Sequence, residues 1–240
     1  MDLCVIARVR TDFPQKFGLP RQSGLVPELK GIIRFEEGFR SPDAVRGLEA
    51  FSHIWVLWGF SEGFASDRSD PDAPRPFSPT VRPPRLGGNE RVGVFATRSP
   101  NRPNPLALSA LRLDRVDTDA PGGPLLYVSG IDMTDGTPVY DIKPYLPMTD
   151  SIPGAVGGFA DREAGDRLTA DIPADLAALL SPDQETALLS LLRSDPRPSY
   201  QRIDGREYGF SFAGFAVTFT VRDACAVVTG IRPEDREAEG

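Results

Sequence analysis

The sequence predicts a mainly β protein, with an N-terminal small β-barrel followed by a smaller C-terminal α+β domain. Three observations carry this. Seven short runs rich in β-branched and aromatic residues lie before residue 150, separated by turn chemistry. The 23 glycines and 24 prolines in 240 residues exceed ordinary usage and favour short elements over long helices. Beyond about residue 155 the pattern changes to a helical period and then a strand meander. The domains are therefore expected at 1–155 and 156–240.

The expected strands, in order, are Leu3–Val9, Gly31–Phe35, His53–Phe60, Val92–Thr97, Leu108–Val116, Leu125–Ile131 and Val139–Ile142. Many strands with Pro/Gly-heavy connections point to a barrel or sandwich. One helix is expected among them, because Ser41 can cap it and Pro42 suits its first position ahead of residues 43–51. Residues 61–88 are polar, Pro-rich and long for a connection, which marks a functional or mobile loop. Residues 150–166 read as a linker or lid. Ser181 with Gln184 forms a capping-box signature, and Ala187, Leu188, Leu191 and Leu192 follow at helical spacing. Residues 208–231 read as a three-stranded meander.

Composition excludes several chemistries. One histidine, His53, and two distant cysteines, Cys4 and Cys225, cannot build a Cys/His zinc site in one chain, and no metal is expected. No strand leads into a GxGxxG helix start, so a Rossmann-type cofactor site is absent. The N-terminus lacks a signal-peptide pattern and no apolar run reaches membrane-spanning length, so a cytoplasmic protein is expected. The net charge of −7 conceals an uneven distribution: arginines crowd residues 82–115, whereas acids dominate residues 161–195. An acidic protein can still offer a basic surface to phosphate.

Two stretches stand out. Residues 93–109 run from a strand into a loop whose Pro100, Pro103 and Pro105 restrict the backbone, so Arg98 and Arg102 present their planar donor forks from a stiff support. Residues 130–147 contain the Asp135-Gly136 turn signal, then Asp141 and Lys143 two residues apart on one strand face, flanked by Tyr140 and Tyr145. Phe95 falls in an apolar run and is expected in the core.

Together with residues 13–24, Ser52-His53-Ile54-Trp55, residues 82–88 and residues 195–200, these stretches resemble, in order and over nearly the whole chain, the tRNA N6-methyltransferases acting on threonylcarbamoyladenosine at position 37. The Leu106-Ala107 pair departs from the family's usual Ile-Gly. The resemblance implies S-adenosylmethionine as cofactor, a β-barrel that holds it, a homodimer, and a tRNA anticodon loop as substrate. Carried over residue by residue, it assigns Pro20, Arg21, Gln22, His53, Ile54, Gly88, Arg98, Ile131, Asp132, Met133 and Thr134 to the cofactor.

For the chemistry this implies, Asp135 or Asp141 is the candidate base, and Lys143 the candidate stabiliser of developing negative charge. Arg102 or Lys143 would meet the threonyl carboxylate. Tyr140, Tyr145 and, beside its expected core place, Phe95 are candidates for stacking on splayed bases, and Arg82, Arg85 and Arg91 for phosphates. Two alternatives compete: an S-adenosylmethionine-dependent methyltransferase with another nucleoside or small-molecule acceptor, and a non-catalytic RNA-binding barrel.

Overall fold

The computed structural model describes residues 3–60, 78–83, 86, 89–161, 168–197 and 203–234. Arg85, Gly88, most of the 61–88 loop and the end of the 195–200 stretch lie outside them. Six strands close into a barrel: β1 (Ala7–Thr11), β2 (Lys30–Phe35), β3 (His53–Gly59), β6 (Leu106–Asp117), β7 (Leu125–Ser129) and β8 (Pro138–Pro144). Their order around the barrel is β1-β2-β7-β6-β3-β8, and every pairing is antiparallel. Alternation explains the core: Val9, Ile33, Ile54, Val56, Leu111, Leu126 and Val139 point inward and are almost fully buried.

The fourth expected strand, Val92–Thr97, is not a barrel strand. Only Val92–Gly93 (β5) is extended, and it pairs with Thr80–Val81 (β4) in a separate two-stranded ribbon. Residues 94–96 instead form a 3₁₀ turn, with the Thr97 N–H and Oγ1–H both donating to the Val94 carbonyl at 3.1 and 2.7 Å. This turn swings Phe95 outward to 72% exposure, so the expected core residue lies on the surface. The expected helix after Ser41 is likewise split into 3₁₀ turns at Pro42–Val45 and Leu48–Ala50. Gly47 between them takes φ +86°, which no helix continues through, and Ser41 makes no capping hydrogen bond.

After β8 come α1 (Pro147–Asp150) and a 3₁₀ turn at Gly158–Asp161, so the expected linker contains helical turns. The C-terminal part holds β9 (Thr169–Asp171), α2 (Ala174–Ala177), α3 (Pro182–Arg193) and the meander β10 (Glu207–Phe212), β11 (Phe215–Arg222) and β12 (Cys225–Pro233). The capping box at Ser181 and Gln184 is formed, and Ala187, Leu188, Leu191 and Leu192 are the buried stripe of α3. Strand β9, too short to read from sequence, adds to β12 in parallel. The sheet packs against the barrel through Phe13 and Phe212, whose ring centroids lie 5.4 Å apart, and through Gln15 Nε2–H donating to Ser211 Oγ at 2.8 Å. Among the described residues no helix is long and apolar enough to cross a membrane, and no group of three His, Cys, Asp or Glu side chains could hold a metal.

Candidate active site

Many of the residues singled out from sequence gather in two groups, one at the inward-facing Ser109 and one on the outer face of the barrel. The first is assembled from distant segments. Gly31 in β2 leaves space for Ile131, whose Cδ1 would lie 2.4 Å from a Cβ there. Ile131 therefore buries completely and anchors the segment that carries Asp132. Gly130 takes φ +76°, a conformation that disfavours side chains, and its carbonyl accepts the Gly24 N–H at 2.9 Å. This contact ties residues 20–24 to residues 130–134.

Asp132 sits at the resulting junction. Its Oδ1 accepts Ser109 Oγ–H at 2.7 Å, and Ser109 in turn accepts Trp58 Nε1–H at 2.9 Å. Desolvation by burial pushes the Asp132 carboxyl up to about 6, against the opposing pull of Ser109, the backbone N–H groups of Ser23 and Asp132, and the charge of Arg98. Arg98 donates to Gln22 Oε1, joining the stiff loop to the 20–24 segment. Gln22, Arg98 and Asp132 thus meet although 110 positions separate the first from the last. Pro20, Met133 and Thr134 are buried supports beside them, whereas Arg21 is exposed and its carbonyl accepts Gln22 Nε2–H at 2.5 Å.

The second group lies outside the wall. Because Ile54, Val56 and Trp58 point inward, His53, Trp55 and Leu57 point outward. In β8 a bulge inserts Tyr140 between Val139, which pairs with Trp58, and Asp141, which pairs with Leu57. Without that extra residue Asp141 would share the inward face of Val139. It faces outward instead, with Lys143 Nζ 2.8 Å from its Oδ2. Tyr145 packs against Trp55 and His53 at centroid distances of 5.5 and 6.2 Å. The Tyr140 ring lies over Gly59, where a Cβ would come within 2.7 Å of it.

His53, exposed and with Nδ1 2.9 Å from Ser52 Oγ, does not join the Asp132 group within one chain, and neither does the core residue Ile54. Asp135 is occupied at both oxygens: Oδ1 accepts the Thr11 N–H at 3.0 Å and Oδ2 lies 3.4 Å from Arg10 Nη1. It also stands beside Asp12, whose carboxyl is held above its ordinary value by desolvation and then by the charge of Asp135. Arg102 folds back onto the Thr97 carbonyl at 3.2 Å. Arg91 donates to Thr80 Oγ1 at 2.9 Å, and Arg82 is exposed next to β4, so both belong to the small ribbon. Sequence reading missed Ser109, Trp58 and Ser23. The available signal was Ser109 itself, a polar residue on the inward face of an alternating strand beside a tryptophan that needs an acceptor.

Residues 8–151 match the family model of the tRNA-methyltransferase O N-terminal domain, and residues 168–234 match that of the TrmO C-terminal domain. The chain belongs to the tRNA-methyltransferase O family. Among TrmO relatives it is 38% identical over 236 residues to the tRNA (adenine(37)-N6)-methyltransferase of Escherichia coli K12, spanning 95% of this chain and 96% of that one. It is 46% identical over 156 residues to a putative S-adenosylmethionine-dependent methyltransferase, RcsF, of Pseudomonas aeruginosa, spanning 65% of this chain and 59% of that one. The crystal structure of TrmO from P. aeruginosa superposes with a TM-score of 0.75 at 29% identity, covering 97% of each chain.

The TrmO cofactor is compatible with the residues present. A desolvated carboxylate suits an amino group or ribose hydroxyls, a guanidinium suits a carboxylate, and the junction offers both, with the charge of Arg98 felt by Asp132.

Proposed function

We propose that this protein is an S-adenosylmethionine-dependent tRNA methyltransferase that methylates N6 of threonylcarbamoyladenosine at position 37. The convergence of Gln22, Arg98 and Asp132 on one junction carries the reading, because these residues come from three motifs of the family and have no common structural need to meet. S-adenosylmethionine, when bound, supplies an activated methyl group. Arg98 would hold its carboxylate, Gln22 its adenine edge, and Asp132, kept in place by Ser109, its amino group or ribose hydroxyls.

The acceptor nitrogen lies between an adenine ring and a carbonyl, and its lone pair is delocalised into both. It becomes a competent nucleophile when its proton leaves. We assign that proton to Asp141, whose Oδ2 faces solvent beside Lys143 Nζ at 2.8 Å. Lys143 stabilises the negative charge that develops on the neighbouring carbonyl oxygen. Asp135 is a positioning residue, since both its oxygens tie the 134–137 turn to β1. Tyr140 and Tyr145 offer rings to unstacked bases, Arg102 meets the threonyl carboxylate, and Arg82 and Arg91 meet phosphates.

A homodimer belongs to the same proposal. The Asp132 group and the Asp141 group lie on opposite faces of one barrel wall, so a single chain does not present them to one substrate. The outer face is bordered by Leu108, Leu146 and Met148, which are 52, 45 and 96% exposed. These apolar side chains support a second copy seated there, its Asp132 group completing the site. Under this reading residues 1–155 carry both halves of the chemistry.

The test is nucleoside mass spectrometry on tRNA incubated with the protein and S-adenosylmethionine, with and without prior threonylcarbamoylation. One added methyl on the modified nucleoside alone is the expected result. Methylation of unmodified tRNA, or of neither, would refute the acceptor.

A further inference from the structure

A groove of about 340 Å³ on the outside of β1 and β2 is lined by Arg8, Arg10, Arg34 and Arg40 together with Glu36 and Gly136. None of these arginines belongs to the basic stretch at residues 82–115. Alternation explains their direction: Ala7, Val9, Ile33 and Phe35 fill the barrel, so Arg8, Arg10 and Arg34 are left facing out. The register then sets Arg8 directly opposite Arg34, a like-charge pair that works against the sheet. Glu36 and Asp135 lie 2.8 and 3.4 Å from Arg8 and Arg10. Among the described residues no acid forms an ion pair with Arg34 or Arg40, and Arg40 Nε–H donates only to the Phe35 carbonyl, at 3.2 Å.

The basic face extends beyond the groove. The row beginning at Arg10 continues through Ile32 and Tyr127 to Arg115, across four adjacent strands. Arg115 stacks on Tyr127 with its Cζ 3.9 Å from the ring centroid and pairs with Asp117 at 3.0 Å. Cations distributed in this way suit a chain of phosphates better than one small anion, and guanidinium forks match phosphate oxygens. Gly136 in the lining and the Arg10–Asp135 pair connect the groove to the turn that leads into β8, where Asp141 and Lys143 stand.

We infer that this groove binds the ribose–phosphate backbone of the tRNA, away from the nucleotide that is methylated. The inference rests on the reading of the protein as acting on tRNA, and it adds a contact surface that the motif arginines do not provide. Arg34 is its best probe, because it is exposed and its removal leaves no carboxylate without a partner.

The experiment measures tRNA affinity by fluorescence anisotropy over a salt series for wild type, Arg34→Gln, Arg34→Glu and Arg40→Gln. The control is Arg46→Gln, an exposed arginine elsewhere that pairs with Asp43. Losing one phosphate contact should lower the magnitude of the log–log salt slope by about 0.7–0.9 and weaken binding about five- to eightfold near 0.1 M salt. Charge reversal should weaken it further, while S-adenosylmethionine binding by calorimetry stays unchanged. Wild-type affinity and slope in the Arg34 variants would overturn the inference, as would an equal loss in Arg46→Gln, which would indicate a diffuse field. These outcomes are separable from the function itself. A slope change without any methylated product would uphold the groove and sink the acceptor, whereas methylation with no slope change would do the opposite.

Discussion

Replacing Asp132 with asparagine should make the folded protein more stable while removing its grip on S-adenosylmethionine. Burial raises the Asp132 carboxyl from 3.8 to about 6, so the ionised side chain opposes folding at neutral pH. At about 1.4 kcal/mol per unit, the cost of keeping it charged approaches 3 kcal/mol at pH 7. Below about pH 4 the carboxyl is protonated in both folded and unfolded chains, and the cost vanishes; it grows as pH rises and is complete above about pH 6. The advantage of Asp132→Asn should follow the same course, near zero in acid and reaching about 6–12 °C in melting temperature at pH 7 for a chain of this size. The amide oxygen can still accept Ser109 Oγ–H, so the packing at Trp58 and Ser109 is preserved. The assay is a set of thermal melts between pH 4.5 and 8, each with and without S-adenosylmethionine. Wild type should gain ligand-induced stabilisation as pH rises through about 6, and the variant should show little at any pH. A variant that melts below wild type at pH 7, or a difference independent of pH, would refute the assignment of a desolvated charge at this position.

Asp141→Asn should lower single-turnover methyl transfer by at least about a hundredfold with S-adenosylmethionine affinity intact, whereas Asp135→Asn, which keeps an acceptor for the Thr11 N–H, should retain most turnover; the reverse ranking would exchange their roles. Gly59→Ala places a methyl within 2.7 Å of the Tyr140 ring and should raise KM for tRNA without altering cofactor affinity, a split that steady-state kinetics would reveal. Leu108→Glu puts a charge on the apolar border of the outer face and should yield monomers by light scattering together with lost activity; an active monomer would exclude the shared site.

Much of the fold was legible because hydrophobic alternation is a local property. Six of the seven expected runs became barrel strands, and the Ser181 capping box and its leucine stripe became α3, since each depends on neighbours a few residues apart. Where local signals competed, the tertiary context decided. Residues 92–97 carry a strand composition, yet the Thr97 hydroxyl and the turn it closes expel Phe95 into solvent. Residues 41–51 carry a capping serine and proline, yet Gly47 divides them.

The site shows the same division. From sequence alone came the residue types that the chemistry needs: a stiff loop bearing Arg98, an acid at Asp132, and an Asp141–Lys143 pair on one strand face. The faces they occupy depend on facts no local pattern contains. One inserted residue at Tyr140 turns Asp141 out of the barrel, and the absence of a side chain at Gly31 lets Ile131 seat the segment that brings Asp132 to Ser109. The opposition of Arg8 and Arg34 exists only once β1 and β2 are in register. Composition and spacing determined the chemical inventory, because it is written residue by residue; closure of the barrel decided which groups meet, because pairing register and bulges are set by contacts between strands distant in the chain.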